Sequence, residues 1–587
     1  MGAAKAAQSQ KCHRDAGEMS YRESTVCALS APERRADILC HARIKPRICG
    51  EFMRLIKTKR KAKMTLSRSE VHRRRAGLAK STGAAAAATV AAGVLLGPPA
   101  LAQDASTAAQ LEALKQQLQQ QQQQIERLQQ QVASQPPAPA PATAVAAAAP
   151  ASKPASPAMH AGPVTVTFGG FMELATIYRD KNETADVGSN FNTAIPYPNS
   201  SNYYLDEFRM SARQSRLAIL AQGPQAGNNR AEGFIEFDFL GAAPTANSNE
   251  SNSYSPRIRQ AYGVYTNVSS GFSLLAGQAW SLAALYKGGL TQRNEAIPLT
   301  IDAQYVPGFN WTRNAQIRLV ERFNDAFSAA ISFESPQALI FNGPNPLPPD
   351  TVFNNPGGSL FYSGQNYSLD PAPDIIAKIA LDPGFGHYEL YGMARWFRDR
   401  AAGANDTQSG GGVGAGLILP LASNNRLDFR LSGLVGDGIG RYGSAQLPDV
   451  TLTPTGQFAT IKEYHWLGGF EARPTPQWTL YVYAGEEHAD AKAYTDETGT
   501  LGYGYGSPLY NNSGCLTLDG KCAANTKSIQ QATGGAWWKY YQGELGNLQL
   551  GLQYSYTKRE IFPGVGGDPD THISIAMLSF RYYPYQR

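Results

Sequence analysis

Between Val164 and Tyr178 the chain reads VTVTFGGFMELATIY, and its residues alternate in character. Val164, Val166, Phe168, Met172, Leu174 and Tyr178 occupy even positions, whereas Thr165, Thr167 and Glu173 occupy odd ones. A period of two over that length predicts a β-strand with one apolar and one wetter face. At roughly 3.3 Å per residue, the strand is long enough to cross a bilayer at a tilt. Similar segments recur to the end of the chain. They are Arg209–Leu220, Ala231–Leu240, Arg257–Tyr265, Phe272–Trp280 and Ala315–Val320. Next come Phe327–Phe333, Ile375–Leu381, Tyr388–Trp396, Leu417–Pro420 and Arg426–Leu434. Tyr464–Ala472, Trp478–Ala484, Thr533–Tyr541, Leu548–Tyr556 and Ile573–Tyr582 complete a set of sixteen. Strands in hydrocarbon must close on themselves, since an open edge leaves N–H and C=O groups bare. The pattern predicts an all-β transmembrane barrel of about 16 antiparallel strands over residues 164–587, of the kind found in bacterial outer membranes.

Aromatic residues fall near the strand ends, among them Trp280, Trp396, Trp466, Trp478, Trp537 and Trp538, where a bilayer interface would hold them. A secreted β-sandwich is the soluble alternative, and this placement argues against it. Polar tracts without alternation predict long loops at Lys181–Asp206, Gly241–Pro256, Ser335–Pro373 and Tyr494–Gln530. The last holds Cys515 and Cys522 with six residues between them. In an oxidising compartment that spacing predicts a loop disulfide.

Upstream the pattern changes four times. Residues 1–52 show no periodicity and carry Cys12, Cys27, Cys40 and Cys49, whose spacing fits no zinc site. They are expected to be a non-native extension, with the true start at Met53 or Met64. Residues 53–102 read as a signal peptide, with a basic run to Lys80, an apolar Ala84–Leu96 and an Ala100-Leu101-Ala102 cleavage site. Residues 103–134 contain heptads with Leu111, Leu118, Ile125 and Val132 at a, and Leu114, Gln121 and Leu128 at d. They predict a short α-helical coiled coil that trimerises in the periplasm, with a Gln-rich disordered tract as the alternative. Residues 135–163, rich in Pro and Ala, predict an extended tether.

Charge then changes meaning. The whole chain carries +6, but residues 1–102 hold 20 of its 53 Lys and Arg and only 7 of its 47 Asp and Glu, leaving −7 for 103–587. Nucleic acid is therefore not an expected partner. No HExxH, GxSxG or phosphate-binding loop appears, the 8 His are scattered, and neither catalysis nor a cofactor nor a metal is expected.

Within the strands, charges on the lipid side cost about 2–4 kcal/mol near the midplane, which turns them inward. This reading makes Arg209, Arg213, Arg216, Arg257, Arg259, Arg318 and Arg395 pore-lining, with Glu236 and Asp238 among them. Arg216 breaks the parity of Arg209 and Arg213, which predicts a bulge near Ser215. Glu232, Glu236 and Asp238 are expected to face Arg209 and Arg213. Guanidiniums in a narrow lumen favour carboxylates; bracing of the wall through an ion pair is the alternative for each.

The segments EFRMSARQSRLAI (Glu207–Ile219), RIRQAYGVY (Arg257–Tyr265) and LLAGQAWS (Leu274–Ser281) resemble the DcaP-like family of trimeric outer-membrane porins. The resemblance implies a sixteen-stranded barrel, a homotrimer with its coil in the periplasm, and passive diffusion of small anionic, dicarboxylate-like solutes. Partners would be the protein itself, outer-membrane lipid and small solutes. A structural anchor with a closed pore is the alternative, and an outer-membrane enzyme a weaker one. Such barrels usually end on an aromatic residue, so Tyr583 or Tyr585 is expected to serve where this chain ends Gln586-Arg587.

Overall fold

A computed structural model describes residues 158–241, 255–356 and 366–586, together with Gln119, Gln122 and Gln123. The chain divides into two units, 1–144 and 145–587. The expected extension, signal peptide and most of the coiled coil and tether lie outside the described residues; the three described glutamines are helical.

The second unit is a closed barrel. Its strands are β1 (Val164–Arg179), β2 (Glu207–Ser211 continuing as Arg216–Gln222), β3 (Asn229–Gly241) and β4 (Ser255–Asn267). There follow β5 (Phe272–Trp280), β6 (Arg313–Arg322), β7 (Phe327–Glu334) and β8 (Asp374–Leu381). Then come β9 (His387–Ala401), β10 (Ala404–Pro420), β11 (Leu427–Asp437) and β12 (Lys462–Thr475). The last are β13 (Trp478–Ala489), β14 (Thr526–Gly543), β15 (Gly546–Ile561) and β16 (Thr571–Tyr583). Every neighbour is antiparallel, and β16 closes on β1 with Met172 opposite Tyr582 and Arg179 opposite Ile575. Each of the sixteen alternating segments overlaps one of these strands.

The alternation decides which face meets what. On β15, Leu552, Tyr554 and Tyr556 are exposed outward, while Gln553, Ser555 and Thr557 between them are buried inward. Such an exterior is solvated by hydrocarbon rather than by water. A Leu552→Arg substitution should therefore cost about 2–4 kcal/mol if it sits near the midplane. Urea titration of the vesicle-inserted barrel measures this, and an unchanged midpoint would contradict the outward assignment. Trp466, Trp478 and Trp538 lie on the outer face, with Trp478 stacked on Trp538 at 5.8 Å. Trp280 and Trp537 are buried in the interior instead, so the expectation of an interfacial role does not hold for these two.

Turns at 223–228, 268–271, 323–326, 382–386, 421–426, 476–477 and 544–545 occupy one end of the barrel. The connections at the other end are longer, apart from the two-residue 402–403 turn. A short strand, Ala158–Ala161, pairs back onto Val164–Thr167 at the short-turn end, so part of the expected tether is ordered. At the long-loop end a disulfide joins Cys515 to Cys522.

Two departures from the alternation have physical causes. β2 is interrupted at 212–215, where the Ser215 hydroxyl accepts the Glu173 N–H at 2.9 Å; this is the irregularity that the parity change at Arg216 implied. Beyond it Leu217 and Ile219 face outward. β10 begins thirteen residues before the short segment expected at Leu417, because its inner face is built of glycine. A Cβ on Gly414 would collide with the Tyr391 ring, and one on Gly416 would come within 2.6 Å of Leu285 Cδ1. Glycine costs strand propensity here in exchange for interior space.

Candidate functional site: a loop-narrowed, arginine-lined lumen

Leu285 belongs to the segment 281–312, which leaves β5 and enters the barrel. The sequence pattern did not mark it as a long loop, because it is apolar. Leu282, Ala284, Tyr286, Leu290, Ile301 and Val306 are buried on the inside of the wall. Trp280, Tyr305 and Phe309 form an edge-to-face cluster with centroids 5.0–6.3 Å apart. Around them pack Leu467, Tyr481, Tyr483, Trp537 and Ile575 from the opposite wall.

Polar contacts fix its path. At the start, the Glu334 carboxylate accepts the Ser281 hydroxyl at 3.1 Å and the Leu282 N–H at 2.8 Å. Glu389 then accepts the Tyr286 N–H at 2.9 Å, and Asp382 the Gly289 N–H at 2.9 Å. Those two carboxylates are bridged by His387, 2.8 Å from each. Lys378 donates to Glu389 at 2.6 Å and to the Ala284 carbonyl at 2.7 Å. Further on, Arg430 holds the Ala296 carbonyl, Trp537 the Leu299 carbonyl, and Gln553 the Ile301 N–H. Finally Glu487 accepts the Gly308 N–H at 2.7 Å. The loop thus meets the wall on β7, β8, β9, β11, β13, β14 and β15. On its short-turn side lies a cavity of about 830 Å³ that includes Lys287, Arg426, Arg430, Arg473, Asp428 and Glu471. A cavity of about 700 Å³ opens among the long loops.

The arginines that the sequence reading expected to line the pore separate into three sets. Arg209 lies on the Glu207 and Ser211 face of its strand and pairs with Glu207 at 2.6 Å. Arg213 pairs with Asp186 at 2.9 Å and donates to the Phe239 and Gly241 carbonyls. Neither meets Glu236 or Asp238 in an ion pair among the described residues, contrary to the expected facing. The reason is register: Asp238 stands directly opposite Arg257 on the neighbouring strand, and takes it bidentately at 2.9 and 2.7 Å. Arg259 reaches Glu236 at 2.6 Å and Asp238 at 2.9 Å, with Arg216 3.8 Å from Glu236. Glu232 is taken by Arg293 at 2.7 Å. Arg395 is buried between Asp374 and Asp449, and Arg318 is buried against Gln316, Tyr286 and the Trp280 carbonyl. Both of these face inward but are covered.

One residue that the sequence reading passed over joins the set around Glu236 and Asp238. Arg313 lies at the head of β6, its guanidinium 4.6 Å above the Trp280 ring. Counted against Ala315 and Ile317 it falls on the outward parity, which is why alternation hid it; the strand end beside the inward loop turns it over Trp280 instead. Its Nη1 is buried without a hydrogen-bond partner, and among the described residues it makes no ion pair. Its charged neighbours include Arg257 and Arg259, with Asp238 and Glu236. Arg216, Arg259 and Arg313 converge electrostatically on the Tyr305 hydroxyl, which accepts from Arg259 at 3.4 Å. Four guanidiniums (Arg216, Arg257, Arg259 and Arg313) thus share two carboxylates, Glu236 and Asp238. An anion entering this group would relieve like-charge repulsion.

A closed barrel of sixteen antiparallel strands with an apolar exterior, a charged lumen and the loop 281–312 folded into it has the architecture of porin barrels. The particular likeness is to the outer membrane channel DcaP of Acinetobacter baumannii. Its crystal structure matches with a TM-score of 0.52 at 18% identity, over 73% of this chain and 99% of that one. Also similar are OprB of Pseudomonas putida (TM-score 0.40, 11% identity, 71% and 94% covered) and an anion-selective porin from Comamonas acidovorans (0.39, 12%, 72% and 99%). At these identities the likeness is one of fold. No protein-family model and no curated protein matches the sequence.

Proposed function

We propose that this protein is a homotrimeric porin of the bacterial outer membrane, passing small anionic, dicarboxylate-like solutes by passive diffusion. The long loops would face outward, and the N-terminal coil would lie in the periplasm. The observation that carries the reading is the group around Tyr305, where four guanidiniums share two carboxylates and Arg313 has no ion-pair partner among the described residues. Guanidiniums keep their charge at any physiological pH and offer planar donors to a carboxylate. Residues 103–587 carry −7, so anion preference would be local to this group rather than a property of the whole molecule. Transport would use no cofactor and no energy source. Flux would saturate weakly, since a solute must also leave.

The test is a planar bilayer recording in a salt gradient. Stable conductance steps and a reversal potential on the anion side are expected. Absence of conductance from a correctly folded barrel would favour the alternative, a structural anchor with a closed pore.

A further inference from the structure

The 700 Å³ cavity at the long-loop end has a chemistry unlike the arginine group. Its walls come from segments 180–206, 335–356, 438–461 and 490–525, with the ends of β14 and β15. Among the described residues, the charged ones lining it are Glu183 and Arg559. Glu183 lies 3.2 Å from Arg179, and three Arg559 nitrogens donate to Thr526 and to the Ile195 and Ala524 carbonyls. The rest of the polar lining is dominated by amides and hydroxyls, notably Asn192, Asn199, Gln446 and Asn525. Three aromatic side chains, Tyr197, Phe341 and Tyr505, share the same wall.

Two features mark the cavity as incomplete by itself. The Asn525 Oδ1 is buried without a hydrogen-bond partner, and so are both Glu183 carboxyl oxygens. Burial, against the pull of Arg179, pushes the Glu183 carboxyl up to about 8, so that at neutral pH it offers an O–H as well as an acceptor. Unmet polar atoms beside a cavity are usually met by ordered water or by a bound group. The wall is also held in place beforehand. Asn199 accepts the Asp519 N–H at 2.9 Å through its carbonyl and donates from its amide to the Gly520 carbonyl at 3.1 Å, inside the disulfide-closed turn. A preformed site loses less on binding than one that must be ordered.

We propose that this cavity binds a neutral polyhydroxylated solute, a short saccharide, ahead of the arginine group. Amide side chains give and accept hydrogen bonds with the same geometry that vicinal hydroxyls present. Aromatic rings cover the apolar faces of sugar rings, and a volume of this size is that of an ordinary small-molecule site. Arg559 already donates to one hydroxyl and two carbonyls, and the rest of the described polar lining is mostly neutral, which suits an uncharged solute.

The test uses the full-length folded protein in detergent, titrated calorimetrically with maltotriose. A polyethylene glycol of similar size serves as the control, and folding is checked by heat-modifiable mobility. Saturable binding of maltotriose but not of the glycol is expected, weakened tenfold or more in Asn525→Leu and in Asn192→Leu. It should be unchanged in Arg313→Gln. No saccharide binding, equal binding of the glycol, or unchanged affinity in both folded variants would overturn the proposal. Because the readout is binding, it stands or falls separately from conductance and anion preference.

Discussion

Replacing Arg313 by glutamine shifts the reversal potential toward cations by at least a threefold change in permeability ratio. A unit charge roughly 6 Å from a passing ion is worth about 0.7 kcal/mol at an effective dielectric of ~80 and about 2.8 kcal/mol at ~20. The lower figure alone corresponds to about threefold. Arg313 is the sensitive position because it has no ion pair of its own among the described residues, while its acidic neighbours Asp238 and Glu236 are paired with Arg257 and Arg259. Combining it with Arg216→Gln should extend the shift, since Arg216 has only a 3.8 Å contact to Glu236. The informative contrast is Arg209→Gln with Arg213→Gln. Each of these has a short carboxylate contact, at 2.6 and 2.9 Å, the first to a Glu207 shared with Arg179. Neutralising them removes pairs rather than free charge, so selectivity should hold while the segment 180–206, anchored through Asp186, becomes noisier. If the Arg209 and Arg213 pair shifts the reversal potential and Arg313 does not, the assignment of the selective group is wrong.

How far the molecule could be read before its structure follows from which signals are local. A lipid-facing wall imposes period two on every strand, and so Val164–Tyr178 and its successors were legible one by one. β10 was nearly lost because Gly410, Gly412, Gly414 and Gly416 carry no hydrophobicity; their role is set by Tyr391, Phe397 and Leu285, which come from elsewhere in the chain. The inward loop was lost for the opposite reason. Its Leu282, Tyr286, Ile301 and Val306 look like strand residues, and only the closed wall reveals that they are buried inside it. Ion-pair partners needed cross-strand register. Arg257 and Asp238 lie across one hairpin, whereas Asp186 reaches Arg213 from a long loop whose path no local pattern encodes.

The second large effect concerns what holds that loop. Glu389, 6% exposed, accepts from buried Lys378, His387 and the Tyr286 N–H, and so ties β8 and β9 to the loop at one point. Glu389→Leu strands the Lys378 ammonium, which is 2% exposed, and removing one partner of a buried pair costs about 3–5 kcal/mol. The β-ladder between β8 and β9 does not depend on the pair, so the loss should fall mainly on the loop. The expected result is a barrel that still inserts, with larger and fluctuating conductance as 281–312 leaves its seat. The double change Lys378→Met with Glu389→Leu removes both charges together and should recover most of the quiet, wild-type current, because two apolar chains of similar reach replace the pair without leaving a bare ion. A double variant as noisy as Glu389→Leu would mean that the Tyr286 N–H and His387 contacts, rather than the ion pair, seat the loop. Undisturbed current in Glu389→Leu itself would mean that the apolar packing of Tyr305 and Phe309 against the far wall suffices alone.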